Sequence, residues 1–143
     1  MSEKYQKLSG KWSKLNDSGF EEFEAKNPGL ATGKVGHNTN DIKLEYTMST
    51  DGYLGSVSVD GNTQSCSFVY DGTLEHSIGG TKFSVTTRFI EGGRMPGGSL
   101  TTTYTASDGK EIKQQNYQFH GQNRMIIETI ANGVGMVTVF EKE

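Results

Sequence analysis

Apolar and polar residues alternate along most of this chain with the two-residue period of a β-strand. The clearest run sets Ile42, Leu44, Tyr46 and Met48 against Lys43, Glu45, Thr47 and Ser49. From Asp41 onward such runs follow one another: Tyr53 to Val59, Gln64 to Tyr70, Thr73 to Ser77, Lys82 to Ile90, Ser99 to Thr105, Glu111 to His120, and a closing pair between Arg124 and Glu143. Most are separated by Asp-Gly, Gly-Gly or Asn-Gly, and Asn132-Gly133 supplies the two positive-φ positions of a type I′ hairpin turn. With a first short strand carrying Leu8, Gly10 and Trp12, the pattern predicts about ten strands in an antiparallel up-and-down barrel or sandwich. Lys14 interrupts the next inward position of that first strand.

Between the first strand and the rest the period changes. Ser18 to Ala25 reads as a short helix, with Ser18 as N-cap, Glu21 completing a capping box, and Phe20 and Phe23 on one face. Asn27-Pro28-Gly29 stops it, and Leu30 to Val35 is a second helical segment weakened by Gly33. A helix pair inserted after the first strand of a meander would cap one end of a barrel.

Composition bounds the picture. The 143 residues make one domain, residues 1–143. Only 32% are hydrophobic, with 19 Gly, which fits either a centre filled by solvent or ligand or a polar, turn-rich β-protein. A net charge of −3 gives no field for nucleic acid or an anionic membrane. The single cysteine, Cys66, forms no internal disulfide, and the N-terminal stretch has no apolar run, so the expectation is a cytoplasmic monomer with at most transient membrane contact.

The chemistry of catalysis is missing. His37, His76 and His120 are isolated beside turn residues, no metal-ligand spacing occurs, and no cofactor is implied. Gly92 to Gly98 lacks the strand-to-helix setting of a phosphate loop. Cys66 reads as a buried small hydrophobe. On the last strand Met136, Thr138 and Phe140 share one side. That mixture of methyl, hydroxyl and phenyl suits a lipophilic molecule with a neutral polar end, although Thr138 is also an ordinary strand residue.

Several strings resemble the intracellular lipid-binding proteins, the family of fatty-acid-binding and cellular retinoid-binding proteins. They are Gly10-Lys11-Trp12 followed by Phe20-Glu21-Glu22-Phe23, then Ala31-Thr32-Gly33-Lys34-Val35, Asp108-Gly109-Lys110, and the terminal Val137 to Lys142. Lys14 and Glu24 depart from the aliphatic residues usual in the family. The resemblance implies a ten-stranded all-β barrel with a two-helix lid around a lipid cavity. It places Phe20 and Phe23 on the lid, and Cys66, Phe68, Ser84, Thr86, Thr102, Tyr104, Gln118, Ile127, Thr129, Thr138 and Phe140 facing inward.

Where most fatty-acid carriers of that family hold a carboxylate with two arginines and a tyrosine, this chain has Gln118, Thr138 and Phe140. Losing guanidinium bonds worth roughly 1.5–3 kcal/mol each disfavours an ionised acid. A retinoid, fatty alcohol or carotenoid is favoured, with Gln118 as polar partner as in the retinol-binding branch. Arg88 is the counterweight: facing inward it would bind a fatty acid's carboxylate, but that register turns Phe83, Val85 and Phe89 to water, so burial argues for Arg88 in solvent and against inward Ser84 and Thr86. Alternatives are a luciferase-like barrel enzyme, a lipocalin, and a protective protein without a ligand.

Overall fold

The computed structural model describes residues 3–28, 42–59, 61–78, 80–90 and 98–143. A 3-10 turn (Glu3–Lys7) leads into β1 (Gly10–Ser18) and α1 (Phe20–Lys26). Nine strands follow: β2 (Ile42–Met48), β3 (Gly52–Val59), β4 (Asn62–Val69), β5 (Thr73–Ile78), β6 (Thr81–Ile90), β7 (Ser99–Ala106), β8 (Glu111–His120), β9 (Arg124–Ala131) and β10 (Val134–Lys142). They form one antiparallel sheet in the order β4-β3-β2-β1-β10-β9-β8-β7-β6-β5. β1 joins β2 on one side and β10 on the other, curling the sheet into a nearly closed barrel whose two edges are β4 and β5.

The all-β, ten-stranded antiparallel barrel is as expected. Among the described residues α1 is the one α-helix; the second helical segment, residues 30–35, lies outside them. Ser18 is not the N-cap. β1 runs on through Ser18, which pairs with Val137, so the turn passes to Gly19 at φ 83 with no side-chain cap. A Cβ on Gly19 would lie 3.0 Å from the Gly135 carbonyl oxygen, which helps explain glycine there.

Lys14 takes the inward position its spacing predicts. It is buried and ion-paired with Asp17, and β1 shifts register between Lys14 and Asn16. A buried ammonium requires such a partner.

The described residues at the two ends of the barrel pack differently. At one end Tyr5 and Leu8, both fully buried, plug the opening, and the Trp12 indole N–H donates to the Leu8 carbonyl at 2.9 Å. At the other, α1 lays Phe23 against Ala131 and Met136. Asn27 pins the helix to the closing hairpin: its amide donates to the Ala131 carbonyl at 3.0 Å and its oxygen accepts from Asn132 Nδ2 at 2.6 Å.

Asp71 fastens the plug to the barrel. Its carboxylate pairs with Lys4 at 2.8 Å and accepts from the Tyr5 hydroxyl and the Phe89 N–H, each at 3.1 Å. Partial burial pushes its pKa up, but the bonds from Lys4, Phe89 and Tyr5 outweigh that and hold it below the ordinary 3.8. A depressed folded-state pKa means that the linked stability is complete above about pH 3.8 and is lost as pH falls through the lower folded value. Amide exchange over residues 3–8 is therefore expected to accelerate selectively in that acid window, and Asp71→Asn to flatten the response. Equal acid sensitivity in the variant would refute the linkage.

Candidate functional site

The inner wall is set by strand alternation. On β8 Gln115, Tyr117 and Phe119 are buried, with Lys113 next on the same side; on β7 Leu100 and Thr102 are buried and Tyr104 follows. β6 turns Val85, Thr87 and Phe89 inward, and β9 turns Met125, Ile127 and Thr129. The register stacks Thr87 beside Thr102, Thr102 beside Gln115, and Gln115 beside Thr129, so polar side chains form one continuous band across four strands.

Gln115 is the hub of that band. Its Oε1 accepts from the Tyr117 hydroxyl at 3.4 Å and the Tyr104 hydroxyl at 3.5 Å, while its Nε2 donates to Thr129 Oγ1 at 3.2 Å. From β2, Tyr46 brings its hydroxyl near that of Tyr117. Burial, more than any other cause, raises the pKa of Tyr46, Tyr104 and Tyr117, so all three remain neutral phenols able to donate. The Thr87 and Thr102 hydroxyls are buried without a hydrogen bond. Thr102 lies near the Tyr104 and Tyr117 hydroxyls and Thr87 near that of Tyr53, without closing a bond to any of them. A buried polar group left unpaired costs roughly 1–3 kcal/mol, so two neighbouring ones mark a place suited to a polar atom from outside the chain.

The edges β4 and β5 meet through side chains. His76 Nε2 donates to the Ser67 carbonyl at 3.0 Å and lies 3.7 Å from Cys66 Sγ, and its ring stacks on Phe83 at 5.2 Å. Burial raises the Cys66 pKa against a smaller lowering by Lys113, so the thiol stays protonated.

Two sequence expectations about direction are corrected. Gln118 lies on the face of β8 opposite Tyr117 and Phe119, opposite Ser99 on β7. Burying Gln118 instead would have exposed both aromatic rings, a loss of roughly 1.5–3 kcal/mol each. Ser84 and Thr86 likewise lie on the outer side of β6, where the Thr86 hydroxyl bonds that of Thr73 at 2.8 Å. Arg88 is exposed, with Phe89 buried, as the burial argument required.

The remaining residues fall as follows. Phe23 is buried and the half-buried Phe20 packs on the same small cluster. Phe68 is buried and stacks on Tyr53 at 4.7 Å, and Cys66 is half-buried. Thr102, Ile127, Thr129 and Phe140 are buried, while Tyr104 and Thr138 are half-buried. Thr102, Tyr104 and Thr129 meet Gln115; Phe23 and Phe20 sit apart, against the closing hairpin. Gln115, Tyr117, Tyr46, Thr87 and Lys113 escaped sequence reasoning. The signal was present in β8, where Gln115, Tyr117 and Phe119 alternate without interruption.

Comparison with solved structures places this architecture. A REP1-NXSQ fatty acid transporter superposes with a TM-score of 0.72 at 16% identity, over 95% of this chain and 96% of that one. The barrel fold is the same. A mutant form of that transporter gives 0.71 at 17% identity, over 95% and 98%. A secretary abundant heat soluble (SAHS) protein from Ramazzottius varieornatus gives 0.71 at 16% identity, over 96% of each chain. No protein-family profile matches the chain, and neither does any curated protein sequence. Among the described residues no helix is long and apolar enough to cross a membrane, and no three His, Cys, Asp or Glu side chains gather as a metal site.

Proposed function

We propose that this protein is a cytoplasmic, monomeric, non-enzymatic carrier that binds one hydrophobic ligand inside the barrel, with a neutral polar end directed at Gln115. The observation that carries the reading is the pair of buried, unbonded hydroxyls of Thr87 and Thr102 beside a ring of neutral phenols and one amide. Hydroxyls, phenols and an amide both donate and accept, which matches an alcohol or carbonyl better than an ionised acid. The hydrocarbon would run along Phe68, Ile127 and Phe140, gaining about 0.8 kcal/mol per methylene buried. A retinoid, a fatty alcohol or a carotenoid meets this description. Cys66 and Thr138 border the same interior, and Phe20 and Phe23 belong to the helix over its end. A fatty acid transporter among the structures of this fold favours a lipid ligand in general terms. Arg88, exposed on the outer wall, offers no carboxylate clamp.

The test is titration with retinol, dodecan-1-ol and oleate. A neutral ligand is expected to bind more tightly than oleate, and Gln115→Leu to weaken it about 10-fold, the equivalent of one hydrogen bond lost. Thr102→Val, which keeps the shape, should act in the same direction. Preference for oleate that survives Gln115→Leu would overturn the neutral-end reading, and turnover of retinol would replace the carrier with an enzyme.

A further inference from the structure

Lys113 is the interior group that the proposed binding mode does not use. It precedes Gln115 by one strand repeat on the inward side of β8, and its ammonium nitrogen sits 4.7 Å from the centroid of the Tyr104 ring. Lys113 is half-buried rather than sealed, so a guest aligned with Gln115 comes within reach of it. One strand repeat, about 7 Å, separates the two positions along β8.

We propose that Lys113 is a covalent site for lipid aldehydes, which it captures as a reversible imine. The inference rests on the lipid-binding reading of the barrel and extends it to a reactive class of ligand. The neutral Nζ attacks the aldehyde carbon, a proton passes from nitrogen to oxygen, and the carbinolamine loses water to leave a C=N bond. The two hydrogens of that water come from the amine and its oxygen from the aldehyde; no oxidant or reductant takes part. Several features favour this lysine over those on the surface. Burial lowers its pKa from 10.5 to about 8, so its free-amine fraction at neutral pH exceeds that of an ordinary lysine by roughly a few hundred-fold. The Tyr104 ring face stabilises the protonated imine as it does the ammonium. The hydrocarbon wall holds the aldehyde in place, converting a bimolecular condensation into a local one.

The probe is dodecanal with cyanoborohydride, which fixes imines as secondary amines, read by intact mass and peptide mapping. Dodecan-1-ol binding is measured alongside. One dodecyl group per chain is expected, on the peptide carrying Lys113, at least ten-fold above any other lysine. Lys113→Arg should lose that label while still binding dodecan-1-ol. Alcohol binding together with label spread evenly over surface lysines would overturn the imine site and leave the carrier reading standing. Label at Lys113 without alcohol binding would uphold the reactive lysine and overturn the carrier. Neither binding nor selective label would overturn both. Should Lys113→Arg fold poorly, competition settles the point: excess dodecan-1-ol is expected to suppress labelling of Lys113 in the unaltered protein, and unsuppressed labelling refutes an interior site.

Discussion

Tyr5→Ala is expected to lower the unfolding free energy by about 3–5 kcal/mol, the range for truncating a fully buried large side chain. Tyr5 is completely inaccessible, with ring centroids at 4.6 Å to Tyr70, 5.3 Å to Phe89 and 5.8 Å to Tyr53. It joins separate parts of the barrel, since these partners follow β4 and lie on β6 and β3. Its hydroxyl donates to Asp71 and accepts from the Asp71 N–H, both at 3.1 Å. Tyr5→Phe keeps the ring and strands that N–H, so a smaller loss of about 1–2 kcal/mol is expected. Urea unfolding of both variants separates ring from hydroxyl. A loss below about 1 kcal/mol for Tyr5→Ala would mean that the plug is not part of the cooperative core.

Gly52→Ala should be the most damaging single methyl added to the described chain. A Cβ at Gly52 would stand 1.9 Å from the Phe68 carbonyl oxygen and 3.0 Å from its carbon, both backbone atoms that no rotamer change can move aside. The β3-β4 hairpin would have to part, at a cost of about 2–4 kcal/mol. Gly61→Ala is the control. A Cβ there meets open space, so only its φ of 84 opposes the change, and a loss of about 1 kcal/mol is expected. Equal midpoints for the two variants would show that the hairpin yields without resistance.

The turn dipeptides show how far the sequence could be read. Asp51-Gly52 was legible as a turn, yet Gly52 begins β3 and is held by contact rather than by φ. Asp71-Gly72 was legible too, but Asp71 takes the positive φ, 49, while its carboxylate fastens the plug. Among the described residues, only Asn132-Gly133, with φ of 50 and 76, has the two positive φ values of a type I′ turn. Strand number followed from alternation because burial imposes the period locally, whereas barrel over sandwich followed from the family resemblance. The inner wall was harder: a shift of one residue reverses a strand's faces, and aligning β8 by family resemblance put Gln118 where Tyr117 and Phe119 belong. Gln115 was invisible as a hub because two of its partners, Tyr104 and Thr129, are neighbours only across strands. Lys113 continues the alternation of Gln115, Tyr117 and Phe119, yet a lysine at the end of such a run does not by itself mark an inward position.

The strand order carries a last consequence. Every pairing but β1 with β10 joins strands consecutive along the chain. Were the backbone opened between β4 and β5 and rejoined from β10 to β1, it would run edge to edge as an unbroken meander, each strand a hairpin partner of the next. The natural chain is thus a circular permutation of the simplest possible ribbon. It carries one long-range closure, Trp12 with Lys142, that the meander would not need, and that closure burdens its folding rate, while the sheet keeps its edges where the chain is continuous.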